Sequence, residues 1–267
     1  MTHFRLTLEY EGTGYSGWQR QAGDERTVQG TLEAAVEAVC RVTGRVTGAG
    51  RTDAGVHAAG QVAGIEVETD LDAETFARAL NARLPGDLAV VGIAAAKPGF
   101  HPRFDARSKL YRYRIWNGPV RSPLGARFHH HVPQKLSVDR MREGAAFVVG
   151  THDFASFQAA GSDVVDTVRS LSRVEVSGHP GGEVILELEG AGFLRHMVRS
   201  VAGTLLQIGR GQRAAHEMAS ILAARDRRVA GPTAPALGLL LVRVDYGFQH
   251  DSEGLAIPVL DGPGPLG

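Results

Sequence analysis

The 267-residue sequence has one cysteine, three lysines and no long hydrophobic run. The single cysteine, Cys40, excludes an intrachain disulfide and suits a reducing compartment, so we expect a cytoplasmic protein. Every apolar run is shorter than the roughly 18 residues that a membrane helix needs. The N-terminal segment also lacks the basic-then-apolar pattern of a secretory signal. The sequence therefore predicts neither export nor a membrane partner.

There is no excess of charge of either sign, because 29 Lys and Arg residues balance 29 Asp and Glu residues. A whole-protein attraction to nucleic acid is thereby excluded, and such binding has to come from the local distribution of charge. The apolar fraction of 43% is ordinary for a folded protein. The length predicts one large domain or two small ones.

One segment, residues 101–142, is strongly basic, with ten Lys and Arg side chains against two acids. Aromatic residues, among them Tyr111, Tyr113 and Trp116, are interleaved with the cations. Cations can follow RNA phosphates, and flat rings can stack on bases. The alternative is a solvated strand face whose aromatic residues pack into the core. From this segment alone, both interpretations stay open.

The hydrophobic pattern predicts the order β-α-β-β-α-β twice. In the first half, strands are predicted at 4–10, 45–49, 61–67 and 88–95, with helices at 28–39 and 72–83. In the second half, strands are predicted at 110–116, 168–176, 184–188 and 239–244, with helices at 137–149, 195–208 and 214–224. Each half matches a ferredoxin-like unit.

We therefore predict an α+β fold in which two tandem ferredoxin-like halves, 1–104 and 105–246, share one extended, mostly antiparallel sheet. The helices would cover one side of that sheet and leave an active-site cleft. Edge-to-edge joining of the halves would remove two exposed sheet edges. The Gly- and Pro-rich tail, 247–267, is expected to be loose.

A glycine-rich loop, residues 48–60, carries the clearest chemical signal. It reads GAGRTDAGVHAAG and places one carboxylate, Asp53, two residues after Arg51 and four before His57. Glycines allow tight turns and close approach of a ligand, and Arg51 would favour the ionised form of Asp53. Such a carboxylate is a candidate nucleophile. The alternative is an Asx-type turn in which Asp53 bonds its own backbone.

Ordered motifs along the chain resemble the tRNA pseudouridine synthase A (TruA) family. The loop string GRTDAGVHA is the most specific of them. Six further strings follow the same order as in the family: YEG with GWQRQ at 10–21, NARLPGD at 81–87, FHPRF at 100–104, KLYRY at 109–113, HDFASF at 152–157 and FLRHMVR at 193–199. The resemblance covers about residues 4–246.

The resemblance implies conversion of uridine to pseudouridine at positions 38, 39 and 40 of the tRNA anticodon stem-loop. It also implies a homodimer that binds tRNA across both subunits. The reaction moves the ribose bond from N1 to C5 of uracil, so nothing is oxidised or added. We therefore predict no cofactor and no metal.

The resemblance also assigns roles to four residues. Asp53 would be the nucleophile, although the sequence does not decide whether it attacks the sugar, adds to the base or removes a sugar proton. Arg51 would help to extrude the target nucleotide, and Tyr111 would stack on its base. Arg199, on the late helix, would hold Asp53 through a two-pronged guanidinium contact.

Histidines near these motifs have more ordinary interpretations. We expect His57 to fix its loop through a hydrogen bond. In the triplet His129-His130-His131, alternate side chains share a strand face, yet no second metal-ligand motif accompanies them. An edge strand that touches RNA phosphate is the preferred interpretation of this triplet.

Two other functions fit parts of the sequence. A non-catalytic RNA-recognition module would also have a ferredoxin-like fold, although such a module has no glycine-bracketed aspartate. A nucleoside or glycoside hydrolase would also place an aspartate beside a glycosidic bond, but it needs a second carboxyl group as the acid. Formation of pseudouridine or of free uracil would separate these possibilities.

Overall fold

The computed structural model describes residues 1–42, 44–162 and 164–247. The first half has the predicted β-α-β-β-α-β order, with N-caps at Thr27 and Asp72 whose side chains accept from Gly30 and Thr75 backbone amides. Its elements are β1 (Thr2–Tyr10), α1 (Val28–Cys40), β2 (Arg45–Gly48), β3 (His57–Val67), α2 (Ala73–Asn81) and β4 (Leu88–Ala95).

The second half repeats this order with three additions, namely two short strands and one helix. Its elements are β5 (Ser108–Trp116), β6 (His130–His131), α3 (Val138–Ala146), β7 (Gly150–Asp153), β8 (Val168–Gly178), β9 (Glu183–Gly190), α4 (Met197–Gly209), α5 (Glu217–Ala224) and β10 (Leu239–Asp245). The predicted α+β class with tandem ferredoxin-like halves is confirmed.

All ten strands form one sheet, in which the main path runs β4-β1-β3-β10-β5-β9-β8-β7. Strand β2 adds to β3, and β6 adds to β5. When only the four strands of the β-α-β-β-α-β unit are numbered in each half, leaving out β6 and β7, both halves have the strand order 4-1-3-2. A short parallel pairing of β10 with β3, Leu240 with His57 and Leu241 with Ala58, joins the halves. Every other strand pair is antiparallel except β5 with β6.

One face of the sheet carries the core. Residues paired across neighbouring strands share a face, and the row from Tyr10 through Ala58, Leu241 and Tyr111 to Leu188 is buried throughout. The helices cover this face; for example, Phe76 of α2 stacks on Phe4 with ring centroids 5.1 Å apart. Tyr111 therefore lies on the helix-covered face of the sheet.

Some boundaries differ from the prediction for physical reasons. Strand β3 begins at His57 instead of residue 61, because its first residues pair with β10, a partner that lies far away in the sequence. Helix α3 ends at Ala146 instead of residue 149, and Gly150 turns the chain at φ +103°. The boundary predicted between 104 and 105 falls between β4 and β5.

The tail, 247–267, was predicted to be loose. Except for Gly247, it lies outside the described residues. Within the described part of the chain, the helices are all too short or too polar to cross a bilayer.

Candidate active site

The loop that carries Asp53 lies where the two halves of the sheet meet. Strand β2, residues 45–48, pairs with the C-terminal part of β3. The first residues of β3 pair with β10 instead. One edge of β3 thus pairs first with β10 and then with β2. The connection between β2 and β3, residues 49–56, lies between these two partners.

Hydrogen bonds from three elements hold the loop. The Trp18 backbone amide donates to the Thr52 carbonyl at 3.0 Å, and the Thr52 hydroxyl lies 2.8 Å from the Tyr10 hydroxyl. Gln61, which is completely buried, donates Nε2 to the Gly50 carbonyl at 3.0 Å. Burial raises the pKa of Tyr10 to about 12. The sequence did not single out Gln61; the one available signal was a polar residue in an apolar strand.

His57 has the loop-fixing hydrogen bonds that the sequence predicted. Its Nδ1 accepts from the Gly12 amide at 2.9 Å, so Nε2 carries the proton and donates to the Leu237 carbonyl at 3.2 Å. Burial lowers the pKa of His57, although Glu11 opposes this effect. A neutral His57 therefore links the aspartate loop to the segment before β10.

Gly17 packs against this loop and provides a test of its rigidity. Its φ is +96°, and a Cβ there would lie 2.8 Å from the Thr52 carbonyl oxygen. We expect Gly17→Ala to lower the free energy of unfolding by about 2–4 kcal/mol, from left-handed strain plus a backbone clash. Gly23, at φ +120° with no atom within 4 Å, is the matched control.

The Gly23→Ala variant should lose only about 1 kcal/mol, because it has the strain without the clash. Urea unfolding of both variants measures the difference. Equal losses of stability would mean that Gly17 is not a packing contact of the aspartate loop.

The Asp53 carboxylate is directed at the N-terminal end of α4. Its Oδ2 accepts from Arg199 Nη1 at 3.1 Å, and a quarter of the side chain is exposed. Within the described ranges, no backbone amide donates to this carboxylate, which argues against the Asx-turn alternative. Oδ1 accepts no hydrogen bond from any described residue and is available to a substrate.

Arg199 lies in the first turn of α4 and is fixed at both ends. Its Nε donates to the Ala234 carbonyl at 2.8 Å, and the Ala234 amide returns a bond to the Arg199 carbonyl at 3.0 Å. The expected two-pronged contact is wrong, because Nη1 alone donates to Asp53 among the described hydrogen bonds. Nε instead fixes the start of α4 to the 230–238 segment.

His196 is a site residue that the sequence analysis missed. It precedes α4 in a left-handed conformation, with φ +62°, which is uncommon for a residue with a side chain. Its Nε2 lies 3.5 Å from Asp53 Oδ2. Burial lowers the pKa of His196, Asp53 opposes this and Arg199 adds to it, so the imidazole is neutral at pH 7. The only available signal was its place in the FLRHMVR string.

Tyr111 lies on β5 and is only 7% exposed. Its ring meets Phe193 edge-on, with centroids 4.9 Å apart. Burial raises the pKa of Tyr111, and the electrostatic effects of Tyr10 and Asp53 raise it further, so the phenol keeps its proton. Tyr111 thus lies within electrostatic range of Asp53, and its largely buried ring leaves less open surface than a free stacking platform has.

Arg51 is not brought to Asp53. It is exposed and donates Nε to Gln19 Oε1 at 3.1 Å. Over the described residues it forms no ion pair, so the expectation that it favours ionisation of Asp53 by contact is wrong.

The basic segment is less basic in space than in sequence. Arg112 pairs with Glu187 at 2.8 Å and Arg114 with Glu183 at 2.6 Å, both from β9. Burial raises the pKa of Glu183, but hydrogen bonds from His129 and Arg114 outweigh it and lower that pKa to about 2. The arrangement of β5 matches the second interpretation, because these arginines line an ion-paired face and Tyr111 and Tyr113 are buried on the other. Contact of this segment with RNA stays a prediction.

The histidine triplet serves the fold. His129 bonds Glu183 at 2.8 Å, His130 contacts the Tyr113 hydroxyl at 3.2 Å, and His131 meets the Gly118 carbonyl at 3.0 Å. Burial lowers the pKa of His130 to about 4. These internal partners give each histidine a role in the fold, and the contact with RNA phosphate stays a prediction.

Comparisons with known proteins agree with this arrangement. A family model described as tRNA pseudouridine synthase matches residues 7–105 and 145–247. The tRNA pseudouridine synthase A of Myxococcus xanthus is 44% identical over 246 residues, 92% of each chain. That of Solidesulfovibrio magneticus is 46% identical over 252 residues, again 92% of each chain.

Among solved structures, a Cbf5-Nop10-Gar1 complex aligns with 90% of this chain and 58% of that chain, at 12% identity and a TM-score of 0.36. The family assignment comes from the sequence matches, which span nearly the whole chain. The protein belongs to the tRNA pseudouridine synthase A family, as its ordered motifs predicted.

Proposed function

We propose that this protein isomerises uridine to pseudouridine at positions 38, 39 and 40 of tRNA, with Asp53 as the nucleophile and without a cofactor. The observation that carries the proposal is the Asp53 carboxylate, held at 3.1 Å by Arg199 where the two halves of the sheet meet, with Oδ1 open. Family membership supplies the substrate class, and the geometry supports one acidic group as its reactive centre.

The chemistry needs no external reagent. The C1′–N1 bond breaks, the uracil turns, and a C1′–C5 bond forms. C5 loses its proton and N1 gains one, so atoms and electrons balance. A single carboxylate that attacks the sugar or the base, or that removes a sugar proton, can start this sequence. Arg199 holds the carboxylate in one position through a charge-assisted hydrogen bond.

Access to a stacked base requires extrusion, which costs a few kcal/mol. Arg51 is suited to this task because it is exposed, stands two residues before Asp53 and is not committed to an ion pair in the described structure. An inserted guanidinium would offset part of the lost stacking. Arg51 would thus act on the RNA helix rather than on Asp53.

Tyr111 would contact the extruded uracil. Tyr111→Phe keeps the ring and should change RNA affinity little, whereas Tyr111→Leu should weaken it about tenfold or more, since stacking contributes roughly 1–3 kcal/mol per base. Equilibrium binding of a stem-loop RNA measures both variants, with circular dichroism to check folding. Equal losses in the two variants would argue against stacking.

The first test is product analysis. Purified protein with unmodified tRNA should give pseudouridine without added metal or nucleotide. Free uracil instead would identify a hydrolase. The hydrolase is disfavoured because the ionisable side chains that contact Asp53 are Arg199 and the neutral ring of His196, with no second carboxyl group among the described contacts. Binding of tRNA with no product of either kind would indicate a binding module.

The partners and location are also proposals. A homodimer would let one tRNA contact both subunits, and a cytoplasmic location follows from the substrate. Light scattering at micromolar concentration should give twice the 28.4 kDa chain mass. A monomer that retains full activity would contradict the homodimer.

A further inference from the structure

Lys109 is a buried cation whose ammonium group has no partner among the described residues. It opens the buried row of β5 and is 8% exposed, on the same strand face as Tyr111. Within the described ranges, its side chain forms no hydrogen bond and no ion pair. Although its side chain is mostly buried, the Nζ atom itself is still in contact with solvent. The other two lysines of the chain, Lys97 and Lys135, are exposed.

The ammonium group borders the aspartate loop. A Cβ placed on Gly50 would lie 3.5 Å from Lys109 Nζ, so the ammonium packs against the residue before Arg51. Its strand neighbours, Gly190 on β9 and Val244 on β10, bring no charge. Arg103, from the 101–107 loop, is the charged side chain that acts on it, and it repels.

An arrangement of this kind is unfavourable without a ligand. Removing an ammonium group from water costs several kcal/mol unless a nearby anion compensates for the lost hydration, and a second nearby cation adds to the cost. Burial and Arg103 together lower the pKa of Lys109 to about 8. At pH 7 the group still carries its charge, and none of the described residues neutralises it.

We propose that Lys109 binds a phosphate of the RNA strand that delivers the target nucleotide to Asp53. This inference rests on the proposed function, because it takes RNA as the anion. The geometry supports it, since Lys109 shares a strand face with Tyr111 and touches the loop of Asp53. Phosphate binding there would fix the backbone beside the extruded base, and Arg103 would contribute a second positive charge.

The test compares Lys109→Met with Lys109→Arg and with the matched surface control Lys97→Met. The probe is an anticodon stem-loop RNA with cytidine at the three target positions, so that binding is measured without turnover. We expect Lys109→Met to bind about tenfold more weakly. It should also reduce the slope of log affinity against log salt by about 1, whereas Lys97→Met should match the wild type.

Thermal unfolding provides the readout that a structural role would not give. Because Lys109 is unpaired in the free protein, Lys109→Met should leave the melting temperature unchanged or raise it. Lys109→Arg should recover most of the RNA affinity. Wild-type affinity should fall above pH 8 as the ammonium loses its proton, and Lys109→Arg should remove that fall.

Two results would overturn the proposal. One is an RNA affinity and salt slope of Lys109→Met equal to those of Lys97→Met. The other is a fall in melting temperature with unchanged affinity, which would make Lys109 structural. Failure of the wild type to form pseudouridine would contradict the proposed function instead, and that assay is separate from the binding measurements.

Discussion

Replacement of Asp53 with asparagine should lower kcat by about 1,000-fold or more while tRNA affinity changes little. The amide has the shape of the carboxylate and can still meet Arg199 Nη1, which now lies 3.1 Å from Oδ2. It cannot attack carbon or remove a proton at a useful rate, because its charge is gone. Single-turnover formation of pseudouridine and equilibrium tRNA binding measure the two quantities separately.

Asp70→Asn is the control for this change. Asp70 is exposed and lies in the connection before α2, so the same loss of charge occurs away from the cleft. Its kcat should equal that of the wild type. If Asp53→Asn lost tRNA binding as completely as turnover, the aspartate would be a binding group and the nucleophile assignment would be wrong.

Loss of Arg199 should produce the second-largest effect. Arg199→Met removes the charge that holds Asp53 and also the Nε bond to the Ala234 carbonyl. We expect kcat to fall about 100-fold or more, since a misplaced reacting group loses rates of this order. KM for tRNA should change less, because Arg199 is directed at Asp53 and not at solvent. Steady-state kinetics give both constants.

Arg199→Lys should be intermediate, because an ammonium group can reach Asp53 but cannot also donate to the 230–238 segment. Arg228→Met is the control, since Arg228 is exposed and pairs only with Asp226 in the described part of the chain. Equal kcat for Arg199→Met and Arg228→Met would remove Arg199 from the mechanism.

Much of the fold was predictable because its signals are local. Alternating Phe4, Leu6 and Leu8 mark a half-buried strand, and Thr27 and Asp72 are caps that the structure reproduces. The strand order within each half follows from the β-α-β-β-α-β pattern. The pairing of β10 with β3 does not, because strands far apart in sequence carry no local sign of their register.

The site was predictable in part, for the same reason. Asp53 stands in a loop that its glycines identify in the sequence. The FLRHMVR string identified Arg199 as a candidate site residue. The single-pronged contact was not predictable, because Nε is taken by Ala234, which lies 35 residues away. The left-handed backbone of His196 and the missing partner of Lys109 are tertiary properties that no spacing encodes.

The charge of the 101–142 segment illustrates the limit of counting along the chain. Its arginines on β5 meet glutamates of β9, which are more than 60 residues away in sequence. Among the described cations of β5, the one without an ion pair is Lys109, which a charge count treats like any other cation.

The most direct test of the account is mass-spectrometric mapping of pseudouridine in unmodified tRNA after incubation with the wild type or the Asp53→Asn variant. We predict pseudouridine at positions 38, 39 and 40 with the wild type and none with the variant over the same time. Pseudouridine formed by the variant at the wild-type rate would contradict the central role of the Asp53 carboxylate.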